Sequence, residues 1–290
     1  MSFERHLGSL QERNANSMEI QSCYERLHEI YCNLDEPDGM EGISTLILSP
    51  TLEYQIRQHE STGRWTSAQS CWELRLQQSP DNLDYHIGLL RCLRNLGHYG
   101  ECFVPLRWLP IDMRADTLRT HVKGVLTRNP DWKPSLLGFE VESAWIIGDW
   151  NDVHDLVDDS DVSTPPAIMA RLLLAIREGD SDNIAHALSR ARMALGNPIV
   201  ATGGREYRHT YEAVLDLHLV HEVELIHRLS SEQMQTDRPR RSEAQDELIK
   251  ILNVRLNSTL PSFRTREPIL SLRRTAYGIR LVLSVGPKLF

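Results

Sequence analysis

Apolar side chains recur along almost the whole chain at helical spacing. Tyr85, Leu89, Cys92, Leu93 and Leu96 fall at i, i+4, i+7, i+8 and i+11, one stripe of an amphipathic helix. Ile168, Leu172, Leu173 and Ile176 form a second stripe. Thr164 precedes it as an N-cap and Pro165 sits in its first turn, where a missing N–H costs little. Tyr207, Tyr211, Val214, Leu225 and Leu229 mark a helix of more than twenty residues. Nowhere does the pattern alternate with period two between hairpin turns. The pattern predicts helices over 18–34, 51–62, 65–78, 82–96, 99–107, 114–128, 134–147, 150–157, 165–178, 181–195, 206–229, 242–253 and 266–284. The expected class is all-α. Connections this short, rich in Gly, Pro, Asp and Asn, make successive helices antiparallel neighbours.

The polar interruptions are as regular as the stripes. Gly63-Arg64-Trp65 and Gly97-His98-Tyr99 each join a helix stop, a spacer and an aromatic that opens the next helix, and they lie 34 residues apart. That is the tetratricopeptide period. Pro80 falls at the helix junction between them. Gly148-Asp149-Trp150 repeats the pattern 51 residues after Gly97, and Gly179-Asp180 follows 31 residues later, so the period is degenerate. A hairpin of this kind cannot bury its apolar face alone, and stacked hairpins give an α-solenoid of TPR/HEAT-like units. The organisation expected is a polar segment over 1–17, a helical repeat region over 18–284, and a short tail over 285–290. A break near 196–205, around Pro198 and Gly203-Gly204, and an exposed, mobile loop over 230–242 interrupt the repeats. The string Leu34-Asp35-Glu36-Pro37-Asp38-Gly39-Met40-Glu41-Gly42-Ile43 reads as a sharp helix stop followed by turn chemistry at Asp38-Gly39.

Composition narrows the function classes. The chain has 290 residues, 41% hydrophobic and 25% charged, with a net charge of −8 and a pI near 5.8. These values do not suggest direct nucleic-acid binding. The segment from Arg238 to Phe290 nevertheless carries +7 and the rest −15. A basic end on an acidic body either seats an acidic partner or pairs with the body itself. Five cysteines, Cys23, Cys32, Cys71, Cys92 and Cys102, include no C-x-x-C pair, which points to a reducing compartment and to small buried side chains. Met1–Arg13 has no apolar core of a signal peptide, and no run is long enough to span a membrane.

Little in the sequence carries chemistry. His218, His221, Glu222 and His227 share one helix, and the first three could converge on a metal ion. The His-Glu-x-x-His pattern fails because residue 225 is Leu, and the competing reading is interfacial histidines satisfied by neighbouring helices. With Gly39 as the turn glycine, Leu34 and Thr45 occupy positions where a calcium loop needs acids. Asp155, Asp158, Asp159 and Asp161 read as a helix end and its solvated loop. There is no Gly-x-Ser-x-Gly elbow, no phosphate loop, no His-Arg-Asp and no Asp-Phe-Gly. No catalytic residue, metal or cofactor is implied. Six tryptophans and eight tyrosines sit at helix starts and on stripes, as packing.

Several strings, in order, resemble the FAT region of ATR-type checkpoint kinases, members of the PI3-kinase-related serine/threonine kinases. They are Asp35-Glu36-Pro37-Asp38-Gly39, Glu53–Gly63 ending in His59-Glu60-Ser61-Thr62-Gly63, Glu140–Trp145 with Asp149-Trp150, and Arg266-Glu267-Pro268-Ile269-Leu270-Ser271-Leu272-Arg273-Arg274. Gly63, Trp65, Gly97, Tyr99, Trp145, Trp150, Glu267, Pro268, Leu270, Arg273 and Arg274 are its structural positions here. The resemblance covers about Tyr24 to Tyr277 and places the chain inside the FAT arm, without the HEAT repeats that precede it or the kinase domain that follows. It implies a non-catalytic scaffold in DNA damage signalling, nuclear, whose partners are the parent's kinase domain, a partner subunit and a dimer mate. In that frame Pro268 lies in a first helical turn, and Arg273, Arg274 and Arg280 project from the helix toward acids of a neighbouring element or toward solvent. The alternatives are a free-standing TPR-type adaptor and a metal-dependent helical enzyme.

Overall fold

The computed structural model describes residues 17–34, 36–48, 50–97, 118–158, 164–202, 207–234 and 238–285. Among them are thirteen α-helices and no strand. The chain divides into two compact units, Met1–Leu96 and Gly97–Phe290. Both are built of all-α, TPR/HEAT-like hairpins. The boundary falls at the second glycine stop, whereas 196–205 lies inside the second unit.

The first unit contains α1 (Ser17–Leu34), α2 (Pro37–Ser44), α3 (Leu52–Ser61), α4 (Trp65–Gln78) and α5 (Leu83–Asn95). Each helix packs on the next or next but one: α1 on α2 and α3, α3 on α4, α4 on α5. Thr51 caps α3 by accepting from the Tyr54 N–H at 3.2 Å, and Asn82 caps α5 through the Asp84 N–H at 3.0 Å. Gly88 of α5 lets Trp72 of α4 lie on the backbone: a Cβ there would stand 2.3 Å from Trp72 Cε2. Trp72 donates its Nε1–H to Glu60 at 3.0 Å, which ties α4 back to α3.

The second unit contains α6 (Leu118–Arg128), a 3-10 turn over Pro130–Trp132, α7 (Lys133–Ile147), α8 (Trp150–Asp158), α9 (Pro165–Glu178), α10 (Ser181–Thr202), α11 (Tyr207–Met234), α12 (Arg238–Asn257) and α13 (Phe263–Val285). Helices α6 to α12 stack largely in sequence. The last helix does not: α13 packs on α11, α9 and α7, returning across the hairpins. One core runs from Leu137, Val141 and Trp145 through Leu172, Leu173 and Ile176 to Val220, Val223, Leu272 and Ile279. At about 25 cal/mol per Å² of apolar surface, such a core is the main source of stability.

The four glycine stops all adopt left-handed backbone: φ is +72° at Gly63, +75° at Gly97, +91° at Gly148 and +81° at Gly179. At the first, the Arg64 N–H reaches the His59 carbonyl at 2.8 Å, the six-to-one bond of a Schellman cap. Residue 97 aside, the second stop lies outside the described residues, as do Tyr99, Cys102 and the expected helix over 99–107. Asp35 and residues 1–16 also lie outside.

Four expectations change. Asp38-Gly39 is not a turn but the start of α2, because Pro37 is pre-set for the first helical position and Gly39 leaves room for the Tyr31 ring, which a Cβ would meet at 2.7 Å. The helix beginning at Ser181 runs through Pro198 to Thr202. Of the loop expected over 230–242, residues 230–234 belong to α11 and 238–242 to α12. Pro268 lies inside α13, not in its first turn, because Ser262 starts the helix earlier by accepting from the Thr265 N–H at 3.3 Å.

Candidate functional site

Among the described residues, the most heavily committed polar group is Glu222. It sits on α11 among Val220, Val223, Leu225 and Ile226, all buried, and its side chain is 1% exposed. A lone carboxylate there would be prohibitive. Two arginines answer it. Arg273 of α13 donates Nε–H to Oε2 at 2.6 Å, and Arg255 of α12 donates Nε–H to Oε1 at 2.9 Å. Arg273 also donates to the Leu252 carbonyl at 2.6 Å. One carboxylate thus joins three helices.

His218 completes the cluster. Arg255 stands 3.1 Å from His218 Nδ1. A guanidinium only donates, so Nδ1 is the lone-pair nitrogen and Nε2 carries the hydrogen. Nε2 lies 3.2 Å from Glu222 Oε1 but out of line for a full hydrogen bond, so its contribution is electrostatic contact. Burial alone would push the Glu222 carboxyl up. The contacts from His218, Arg273 and Arg255 and the charge of Arg273 outweigh it and hold the group at about 2. The carboxylate therefore stays ionised at neutral pH and has no proton to give as a general acid, and both of its oxygens are already engaged by guanidinium groups.

These contacts also decide the fate of the four candidate ligands. Glu222 is taken by guanidinium groups, and His221 faces Glu224 at 3.0 Å instead. Glu224 pairs with Arg192 of α10. His227 is partly buried, which lowers its pKa. Among the described residues, no three or more His, Cys, Asp or Glu are placed to hold a metal ion.

A second ionic joint lies at the other end of the unit. Arg119 of α6 donates to Asp149 at 2.7 Å and also pairs with Asp152 on α8. Hydrogen bonding to Arg119 draws the Asp149 carboxyl down. Trp150, the aromatic after the third glycine stop, packs against the core with Arg177 stacked on its ring at 5.2 Å. Trp145 is buried in that core.

The family strings therefore map onto joints between helices. Arg273 is buried and paired within the unit, while Leu270 and Arg274 are exposed. Glu267 accepts from the Ser271 hydroxyl at 2.6 Å, within its own helix. Glu36 stands before α2 without a side-chain cap bond, and Trp65 opens α4. The periodicity missed Glu222 as a centre, although a carboxylate inside an apolar run was a visible signal of a buried ion pair.

Comparison with known proteins gives the same assignment. Residues 138–282 match the FAT domain, a span that holds α8 to α12 entire and most of α7 and α13. The chain belongs to the FAT-domain family. Residues 1–59 match the M-HEAT region of the serine/threonine-protein kinase ATR, a match to a HEAT flank that the strings alone had not led us to expect. The chain is 28% identical to serine/threonine-protein kinase ATR of Oryza sativa subsp. indica over 265 residues, 87% of this chain and 9% of that protein. It is 27% identical to the Arabidopsis thaliana ATR over 86% of this chain and 9% of that protein. It is 24% identical to protein kinase rad3 of Schizosaccharomyces pombe over 95% of this chain and 10% of that protein. The chain thus spans about a tenth of the length of these relatives, and the FAT span of this one, with Glu222, Arg255 and Arg273 inside it, is not a kinase domain. Among the described residues, no helix is long and apolar enough to cross a membrane.

Proposed function

We propose that this chain is the HEAT-to-FAT scaffold of an ATR-like serine/threonine kinase acting in nuclear DNA damage and replication checkpoint signalling. It positions a kinase domain and partner subunits without contributing a catalytic group. The observation that carries the reading is order: an ATR M-HEAT match at residues 1–59 precedes a FAT match at 138–282, as one continuous alignment with ATR relatives. The chemistry of the second unit agrees, since its strongest polar groups, Glu222, Arg255, Arg273, Arg119 and Asp149, are spent on holding helices together.

In this reading the kinase domain of the parent packs against the FAT helices, and a partner subunit and dimer mate dock on the same arm. The test is co-purification of the tagged chain with a separately expressed ATR-like kinase domain. Capture at a one-to-one ratio that survives physiological salt supports it. Equal capture of an unrelated kinase domain, or no capture from either order of tagging, overturns it.

A further inference from the structure

The junction of α1 and α2 gathers chemistry that the scaffold reading does not use. His28 and Cys32 are four residues apart on α1 and share a face. Helix α2, which starts at Pro37, packs against α1 and brings Met40 to Cys32. Cys32 Sγ lies 3.5 Å from His28 Nδ1 and 3.2 Å from Met40 Sδ. We propose that His28, Cys32 and Met40 form a binding site for one cuprous ion.

Donor type selects the metal. Thiolate and thioether sulfurs favour Cu(I), which also accepts imidazole and low coordination numbers. A borderline or hard ion would need more nitrogen or oxygen ligands, and the described residues offer no group of three His, Cys, Asp or Glu. Spacing fits as well. With metal–sulfur bonds of about 2.3 Å and metal–nitrogen bonds of about 2.0 Å, donors around one ion stand roughly 3.5–4 Å apart. Cys32 Sγ stands within a small rotamer adjustment of that spacing from each of the other two donors.

The surroundings prepare the site. His28 is 1% exposed, and its ring is held edge-on by Tyr54 at 4.6 Å. Tyr54 is 2% exposed, and among the described residues its hydroxyl has no hydrogen-bond partner. That is an unmet polar group at the edge of the donor set. Cys32 is only partly buried, which leaves a route for the ion. On binding, the Cys32 thiol gives its proton to solvent and its sulfur lone pair to copper. Neither centre changes oxidation state.

The full chain would be titrated with Cu(I) against bicinchoninate in oxygen-free buffer, with X-ray absorption on the loaded protein. The expected result is one Cu(I) per chain, with two sulfur scatterers and one nitrogen. Cys32→Ser should abolish tight binding. Met40→Leu keeps the volume, so the fold survives, and should weaken binding by at least the roughly tenfold that even outer partners of metal ligands contribute. Cys23→Ser and Cys71→Ser should leave binding unchanged. Failure of the native chain to compete with the chelator overturns the proposal. So does unchanged affinity in Cys32→Ser or Met40→Leu, or a stoichiometry that follows total cysteine number.

Discussion

Replacing Glu222 by glutamine removes one charge and almost no volume, so it isolates the electrostatics of the three-helix joint. The carboxyl is drawn from its ordinary 4.5 down to about 2. Because the folded value lies below the unfolded one, the stabilisation is complete above the unfolded value and is lost as pH falls toward the folded one. A difference of that size corresponds to about 3 kcal/mol at neutral pH, of which about 2 kcal/mol is gone by pH 3. Breaking one partner of a buried ion pair typically costs about 3–5 kcal/mol, which agrees in scale. The chain has two compact units, so a single unfolding midpoint would mix them. Hydrogen exchange of α11 and α13 peptides across a urea series is the appropriate assay. Glu222→Gln should lower protection there at pH 7 by about 3 kcal/mol, and the gap to the native chain should narrow steadily toward pH 3. A gap below about 1 kcal/mol at pH 7, or one that does not change between pH 7 and pH 3, would refute the reasoning.

Other perturbations probe single features. Gly88→Ala places a methyl 2.3 Å from Trp72 and should cost about 1–3 kcal/mol, read as a lower melting temperature of the first unit; a loss within measurement error would contradict the packing. Gly148→Ala forces a side chain into φ +91° and should cost about 1–2 kcal/mol, checked by urea unfolding, whereas Gly124→Ala, in open space on α6, should raise stability. The Cys92 thiol, pushed up to about 12 mainly by burial, should be alkylated by iodoacetamide at pH 8 far more slowly than Cys32; peptide mapping in the reverse order would count against the burial.

The helical content and the stops were legible because each rests on local chemistry. Leu89, Cys92 and Leu93 are buried as their spacing requires, and Gly63, Gly97, Gly148 and Gly179 all turn left-handed. What was not legible depends on distant neighbours. Pro37-Asp38-Gly39 has the composition of a turn, and only the Tyr31 ring lying on Gly39 shows why it is a helix. Val214 fits the apolar marks of its helix yet is exposed, while Val220, Val223 and Ile226 take the core positions. Glu222 meets arginines 33 and 51 residues further along, a separation that no periodicity can bridge.

That separation has a consequence for biosynthesis. Helix α13 returns to touch α7, α9 and α11, so the last described helix closes over hairpins made well before it. On the ribosome, Glu222 is made 51 residues before Arg273. At about 5–20 residues per second it waits roughly 3–10 seconds for its second guanidinium. During that interval the carboxylate must stay hydrated, which keeps α11 from sealing. A stall in translation between α12 and α13 should therefore leave α11 unsealed, in a chain that chaperones and proteases can still grip.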